Sequence, residues 1–155
     1  MARKTPAELA EARKAAADAR AEAARVQAEE EAKIQRAAEE HQEWLVEAWD
    51  KHRELANVAA GIYDELDKLN RKWPNQLVTP RTVARTNKLL GQIRELLEDE
   101  EDGFFDDVED IVPAGDLPET RDVVMILREA KDALERFAKN YKSDWRKAGL
   151  EVVGF

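Results

Sequence analysis

Residues 34–73 read IQRAAEEHQEWLVEAWDKHRELANVAAGIYDELDKLNRKW, and this stretch decides the fold. Alanine, histidine or a large apolar residue recurs at every third or fourth position: Ile34, Ala38, His41, Leu45, Ala48, His52, Leu55, Ala59, Ile62, Leu66, Leu69 and Trp73. Such spacing places side chains along one stripe of an α-helix. From Trp44 onward further apolar residues flank the stripe, which indicates contact with more than one neighbouring helix. We therefore predict that residues 44–72 form a core helix covered by the rest of the chain.

The same helix extends far toward the N-terminus. No proline interrupts the chain between Pro6 and Pro74. Thr5 and Glu8 flank Pro6 with the spacing of a capping box, which is typical of a helix start. A helix over residues 6–72 would measure about 100 Å at ~1.5 Å per residue, more than the remaining chain can cover. We therefore expect residues 1–43 to form an extended, alanine-rich helical arm.

The arm carries a narrow apolar seam. Its residues step by 3-4-3-4-3, the spacing of a coiled coil: Leu9, Ala12, Ala16, Ala19, Ala23 and Val26. Four-residue steps then lead to Ile34, which is typical of a stutter. The arm is either a solvated, isolated helix or a helix that pairs with a second copy or another protein. The length of the register favours pairing.

Two shorter helices should complete a bundle. Pro74 ends the first helix near Lys72, and Thr79 with Pro80 starts a second helix that runs over residues 80–102. A third helix is predicted over residues 118–148. Their predicted core lines are Val83, Leu90, Ile93 and Leu97, and Val123, Leu127, Ala130, Leu134, Phe137, Tyr141 and Trp145. The sequence thus predicts an all-α fold, with residues 44–155 forming a small three-helix bundle that has an apolar C-terminal tail.

Composition limits the possible functions. The chain has 155 residues, a net charge of −9 and no cysteine. This charge disfavours nucleic acid and anionic membranes as partners, although it leaves nucleic acid possible. The lack of cysteine excludes disulfides and thiol nucleophiles. Because the N-terminus has no apolar signal segment and no apolar run could span a bilayer, we expect a cytoplasmic or particle-associated protein.

Catalytic motifs are absent from the sequence. It has no glycine-rich phosphate loop, no G-x-S-x-G and no H-E-x-x-H. We therefore predict that the protein is not an enzyme and holds no cofactor.

A basic segment offers one candidate binding surface. Residues 68–94 contain seven basic residues and no acidic one. Arg81, Arg85 and Lys88 share one helix face, which could bind phosphates or an acidic protein surface. Alternatively, this face is solvated and its charge balances that of the neighbouring acidic segment. The acidic net charge of the chain favours this alternative.

That acidic segment, residues 95–110, holds ten carboxylates. It partly fits a calcium loop over residues 98–109, but glutamates stand at the first two ligand positions, where shorter side chains are expected. We favour a basic partner surface or a solubilising patch, and we predict no metal.

Two histidines and the C-terminal tail complete the candidates. His41 and His52 lie on the stripe as partly buried residues or, alternatively, as a pH switch in a helix interface. The tail, residues 150–155, either folds back on the bundle or docks on a partner. The predicted partner-binding residues are Leu9, Val26, Ile34, His41, Leu45, Arg81, Arg85, Lys88, Val152, Val153 and Phe155.

The expected function is structural. We predict a non-enzymatic assembly protein that self-associates or docks into a larger particle, such as a virion, through its helical arm. The alternative is an adaptor whose basic second helix contacts nucleic acid or an acidic protein.

Overall fold

Three α-helices make up the fold. The structure, a computed structural model, describes residues 5–100 and 117–151. Helix α1 spans Pro6–Lys72, α2 spans Pro80–Leu97 and α3 spans Thr120–Lys147. The described residues contain no strand, only an isolated antiparallel bridge between Leu77 and Glu119. The predicted all-α fold, with a long first helix and two shorter ones, is confirmed.

Helix α1 begins and ends where local chemistry predicts. The Thr5 amide donates to Glu8 Oε2 at 2.7 Å, and the Glu8 amide donates to Thr5 Oγ1 at 3.4 Å. This is the predicted capping box, which satisfies amides that lack helical partners. At the other end, Trp73 precedes Pro74, and a residue before proline is pushed out of the α region.

Residue contacts divide the chain into two units, Met1–Glu43 and Trp44–Phe155. In the first unit every described residue, from position 5 to 43, is exposed. The second unit contains the buried core. Each unit is therefore considered on its own.

The core of the second unit follows the predicted stripes. Helix α1 contributes the residues Leu45, Ala48, His52, Leu55, Ala56, Ala59, Ile62 and Leu66. Helices α2 and α3 bury all of their predicted core positions except Tyr141, which packs against the core while partly exposed. Thr86 is also buried, which the apolar pattern did not predict. Its hydroxyl donates to the Thr82 carbonyl at 2.9 Å, so the buried polar group is satisfied within α2.

Helix α2 is shorter than predicted. It ends at Leu97 instead of near Asp102, and the Glu100 amide donates to the Leu97 carbonyl at 3.1 Å in a turn. Carboxylates at a helix C-terminus oppose the macrodipole, which disfavours further turns of helix here. Glu100 instead faces α3, where the Tyr141 hydroxyl donates to its Oε1 at 2.7 Å. Asp102 itself lies outside the described residues.

The connection between α1 and α2 is bonded to the start of α3. The Gln76 carbonyl accepts from both the amide and the hydroxyl of Thr120, at 2.8 and 2.7 Å. The Val78 amide donates to the Pro118 carbonyl at 2.9 Å. Helix α3 begins at Thr120, two positions after the predicted start, because these bonds hold the preceding residues in extended form. One end of the bundle is thereby fixed by backbone hydrogen bonds.

Candidate functional site

The exposed seam of the first unit is the leading candidate. We call its residues the arm seam: Leu9, Ala12, Ala16, Ala19, Ala23, Val26 and Ile34. The exposed fractions of Leu9, Val26 and Ile34 are 47%, 48% and 71%. Because α1 is α-helical throughout this range, the 3-4 spacing places these side chains along one side of the helix. The arm seam is therefore an apolar line open to solvent, interrupted by Glu30 between Val26 and Ile34.

Local interactions alone explain why the arm is helical. Arg25 lies between two glutamates, at 3.0 Å from Glu22 and 3.8 Å from Glu29. The Gln35 amide donates to Glu39 at 3.1 Å. Pairs of this kind contribute roughly 0.2–0.5 kcal/mol each, and alanine has the best helix propensity. The arm seam is thus not needed to form the helix and remains available for association.

The same stripe is buried once it reaches the bundle. Leu45 is only 4% exposed and belongs to the core with the residues that follow it on the stripe. It therefore packs within its own chain, unlike the exposed residues of the arm seam. His41 is exposed, so its partial burial would require a second helix.

His52 belongs to the bundle core. Its Nε2 lies 2.9 Å from the Leu134 carbonyl oxygen, which can only accept, so Nε2 carries the proton and donates. The ring packs against Phe137 and Trp145, with centroid distances of 6.0 and 5.5 Å. Burial lowers the pKa of His52, and the hydrogen bond to Leu134 partly opposes that shift. His52 is therefore a neutral histidine, buried inside the bundle of a single chain.

The predicted basic face of α2 is exposed. Arg81, Arg85 and Lys88 all face solvent. Arg85 Nη1 lies 3.6 Å from Glu65 Oε2 on α1. Part of this face therefore pairs with an acidic residue that lies outside the predicted acidic segment. Both side chains are exposed, and pairs of this kind contribute little to stability.

A second basic surface lies on α3 and was not predicted. A shallow depression of about 510 Å³ is lined by Lys139, Lys142, Ser143, Arg146 and Lys147. These positions step by three, one, three and one, so they share one face of the helix. The spacing is present in the sequence, but Asp144 lies within it, 3.5 Å from Lys147, and this acid hides the pattern.

The structure describes only part of the remaining candidate sites. The residues that the structure describes hold no group of three metal-binding side chains. Most of the calcium-like segment 98–109 lies outside the described residues, as do the tail residues Val152, Val153 and Phe155. The Trp49 Nε1 donates to the Glu151 carbonyl at 2.9 Å, so the start of the tail contacts α1. Within the described ranges, none of the helices combines the length and apolar character needed to cross a membrane.

Comparison with known proteins adds no further evidence. No protein-family model matches the chain, and neither a curated protein nor a solved structure matches it. The functional argument therefore rests on the arm seam and on the two basic surfaces.

Proposed function

We propose that the protein is a non-enzymatic assembly protein whose helical arm pairs with the arm of a second copy. One observation supports this most directly. The stripe that α2 and α3 bury from Leu45 onward continues along the arm as exposed apolar residues. Three large side chains on one line of a helix are a surface that water disfavours.

The expected association is weak. Burying one large apolar side chain stabilises by ~1.5–3 kcal/mol, whereas association costs ~4–15 kcal/mol. Two arms supply three such side chains each, Leu9, Val26 and Ile34, and all are already partly covered. We expect a dissociation constant in the micromolar range.

Weak pairing suits a crowded assembly. Where many copies are held close together, a micromolar contact acts at a high effective concentration and is then sufficient. We therefore propose that the protein acts in the cytoplasm or as a component of a multi-protein particle, such as a virion. Protein partners or further copies are the expected contacts, without membrane and without a cofactor.

Two charge substitutions test the self-pairing. Val26→Glu with Ile34→Glu should abolish the dimer seen by light scattering after size exclusion, because both place charge in the seam. The control is Ala21→Glu with Ala28→Glu, which adds the same charge on the opposite side of the helix and should leave the dimer intact. A full chain that is monomeric up to high micromolar concentration would contradict the proposal.

An adaptor function is the second candidate, favoured by the common exposed face of Arg81, Arg85 and Lys88. Binding of a polyanion through this face should weaken steeply as salt is added, whereas an apolar seam should hold or strengthen. Arg81→Glu with Arg85→Glu should then lower heparin affinity at least tenfold. An unchanged affinity would remove this candidate.

A further inference from the structure

The residues that flank the arm seam are sorted by charge. With Leu9 at heptad position a and Ala12 at d, the flanking positions are e and g. Position e holds arginine or glutamine, at Arg13, Arg20 and Gln27. Position g holds glutamate or alanine, at Glu8, Ala15, Glu22 and Glu29. One flank is therefore basic or neutral and the other is acidic or neutral.

This sorting discriminates between the two directions of pairing. In a parallel pair, position g of one helix faces position e of the next heptad in the other helix. Glu8 then faces Arg13 of the second copy, and the remaining facing pairs, such as Glu22 with Gln27, are not repulsive. In an antiparallel pair e faces e and g faces g, so arginines meet arginines and glutamates meet glutamates. No shift of register removes that repulsion.

The charged side chains at positions e and g are accessible to a second helix. Every residue of both flanks is exposed. Arg25 bridges Glu22 and Glu29, so these two carboxylates are aligned along one side of the helix. Hydrogen bonds from the Thr5 amide and hydroxyl lower the pKa of Glu8, which is therefore ionised at neutral pH.

The stutter gives an independent argument. The steps from Val26 to Glu30 and from Glu30 to Ile34 are each four residues, which locally unwinds a coiled coil. In an antiparallel pair this segment faces an uninterrupted part of the other arm. In a parallel pair without offset, it faces the same segment of the second copy, so both helices change register together, and Glu30 then faces Glu30 of the second copy as the one like-charge contact on the seam.

Charge beyond the stutter does not oppose this arrangement. The register resumes with Ile34 at d, which places Glu39, Glu40 and Glu43 at the outer positions b, c and f. The flanking positions there hold Gln35, Ala37 and Gln42, which are uncharged. We propose that two copies of the arm pair in parallel and in register. This inference rests on the proposed self-pairing and specifies its geometry.

Single cysteines test the direction, since the chain has none of its own. Ala16→Cys and Ala23→Cys each place a thiol at position a. In a parallel, in-register dimer both variants should form a disulfide-linked dimer on mild oxidation, in more than half of the chains. An antiparallel dimer can bring at most one of the two positions together. Ala28→Cys, on the outer side of the helix, is the control and should remain unlinked.

The outcomes separate this inference from the proposed function. A dimer by light scattering in which at most one seam variant is linked overturns parallel pairing and leaves self-pairing standing. A monomer in every variant overturns both. Linkage of both seam variants without linkage of the control supports both.

Added charge gives a second test with opposite signs for the two directions. Ala15→Glu with Gln27→Arg creates facing pairs with Arg20 and Glu22 of a parallel second copy. The affinity should rise by roughly threefold to tenfold, as expected for several exposed ion pairs. In an antiparallel pair the same changes add like charges and weaken binding. The control, Ala21→Glu with Ala28→Arg, puts the same charges on the outer side and should leave the affinity unchanged. An unchanged or weaker affinity of the flank variant overturns parallel pairing.

Discussion

The sequence left two interpretations of His52, a buried residue or a pH switch, and the structure places it in the core of the bundle. Its position on the stripe fits a helix interface, and the interface is internal to the bundle, between α1 and α3. The ring donates to the Leu134 carbonyl and packs on Phe137 and Trp145. Protonation would place a charge among these rings. The cost of that charge appears as pH-dependent stability.

We expect the bundle to lose stability as pH falls from 7.5 to 5.5. The folded pKa of His52 lies below its ordinary value of about 6.5, so the unfolded chain takes up the proton first. The contribution of the neutral ring is therefore complete above pH ~6.5 and is lost as the pH falls toward the folded pKa. The limit is about 1.4 kcal/mol per pH unit for one proton.

Urea unfolding followed by tryptophan fluorescence at several pH values measures this loss. His52→Gln should flatten the dependence, because its amide can still donate to the Leu134 carbonyl but does not titrate. His41→Gln, at an exposed position, should keep the slope of the parent chain. Equal slopes for the parent and His52→Gln would show that another group is responsible.

At the scale of elements, the helix ends show which features of the structure could be predicted from the sequence. The ends set by local chemistry are where the sequence predicts them: the Thr5 cap, the stop before Pro74 and the Thr79 cap, whose hydroxyl accepts from the Thr82 amide. The end of α2 is the exception, since the helix was predicted to run to Asp102 and ends at Leu97. Carboxylates crowd this C-terminus, which is a local signal against further helix, whereas the contact of Glu100 with Tyr141, some forty positions away, is not visible in the local sequence.

Thr120 links two elements, and its loss should be measurable. Thr120→Val removes the hydroxyl that donates to the Gln76 carbonyl at 2.7 Å, while keeping the shape of a buried side chain. The carbonyl still accepts from the Thr120 amide, so we expect a loss of about 0.5–1.5 kcal/mol in the free energy of unfolding. Urea denaturation measures it, and the exposed Thr5→Val serves as the control in the bundle transition. An unaltered midpoint for Thr120→Val would mean that this bond does not stabilise the connection.

At the scale of the whole molecule, the two units are held by different forces. The bundle is held by a buried core, whereas the arm is held by helix propensity and surface pairs. Heptad spacing could not separate these cases, because packing within a chain and pairing between chains use the same repeat. For that reason Leu45, a core residue, was grouped with Leu9 and Val26, which are exposed. The second basic surface, on α3, was missed because Asp144 interrupts it in sequence.

The two units should therefore melt separately. All four tryptophans lie in the second unit, at positions 44, 49, 73 and 145, so their fluorescence reports the bundle alone. Circular dichroism should show an additional, broad transition of the arm, since a helix held by local interactions melts gradually. If arms pair, the midpoint of that transition should rise with protein concentration, and Val26→Glu with Ile34→Glu should abolish the rise. A single transition seen identically by both probes would contradict this division.

The bond from Trp49 to the Glu151 carbonyl has a practical consequence for spectroscopy. An indole proton held in a hydrogen bond resonates away from those that meet water, and a proton spectrum of this chain holds only four indole signals. The peak assigned to Trp49 would therefore report whether Glu151 is seated on α1. Any tag joined to the C-terminus could be checked for harm by that peak alone, before a single assay of assembly is run.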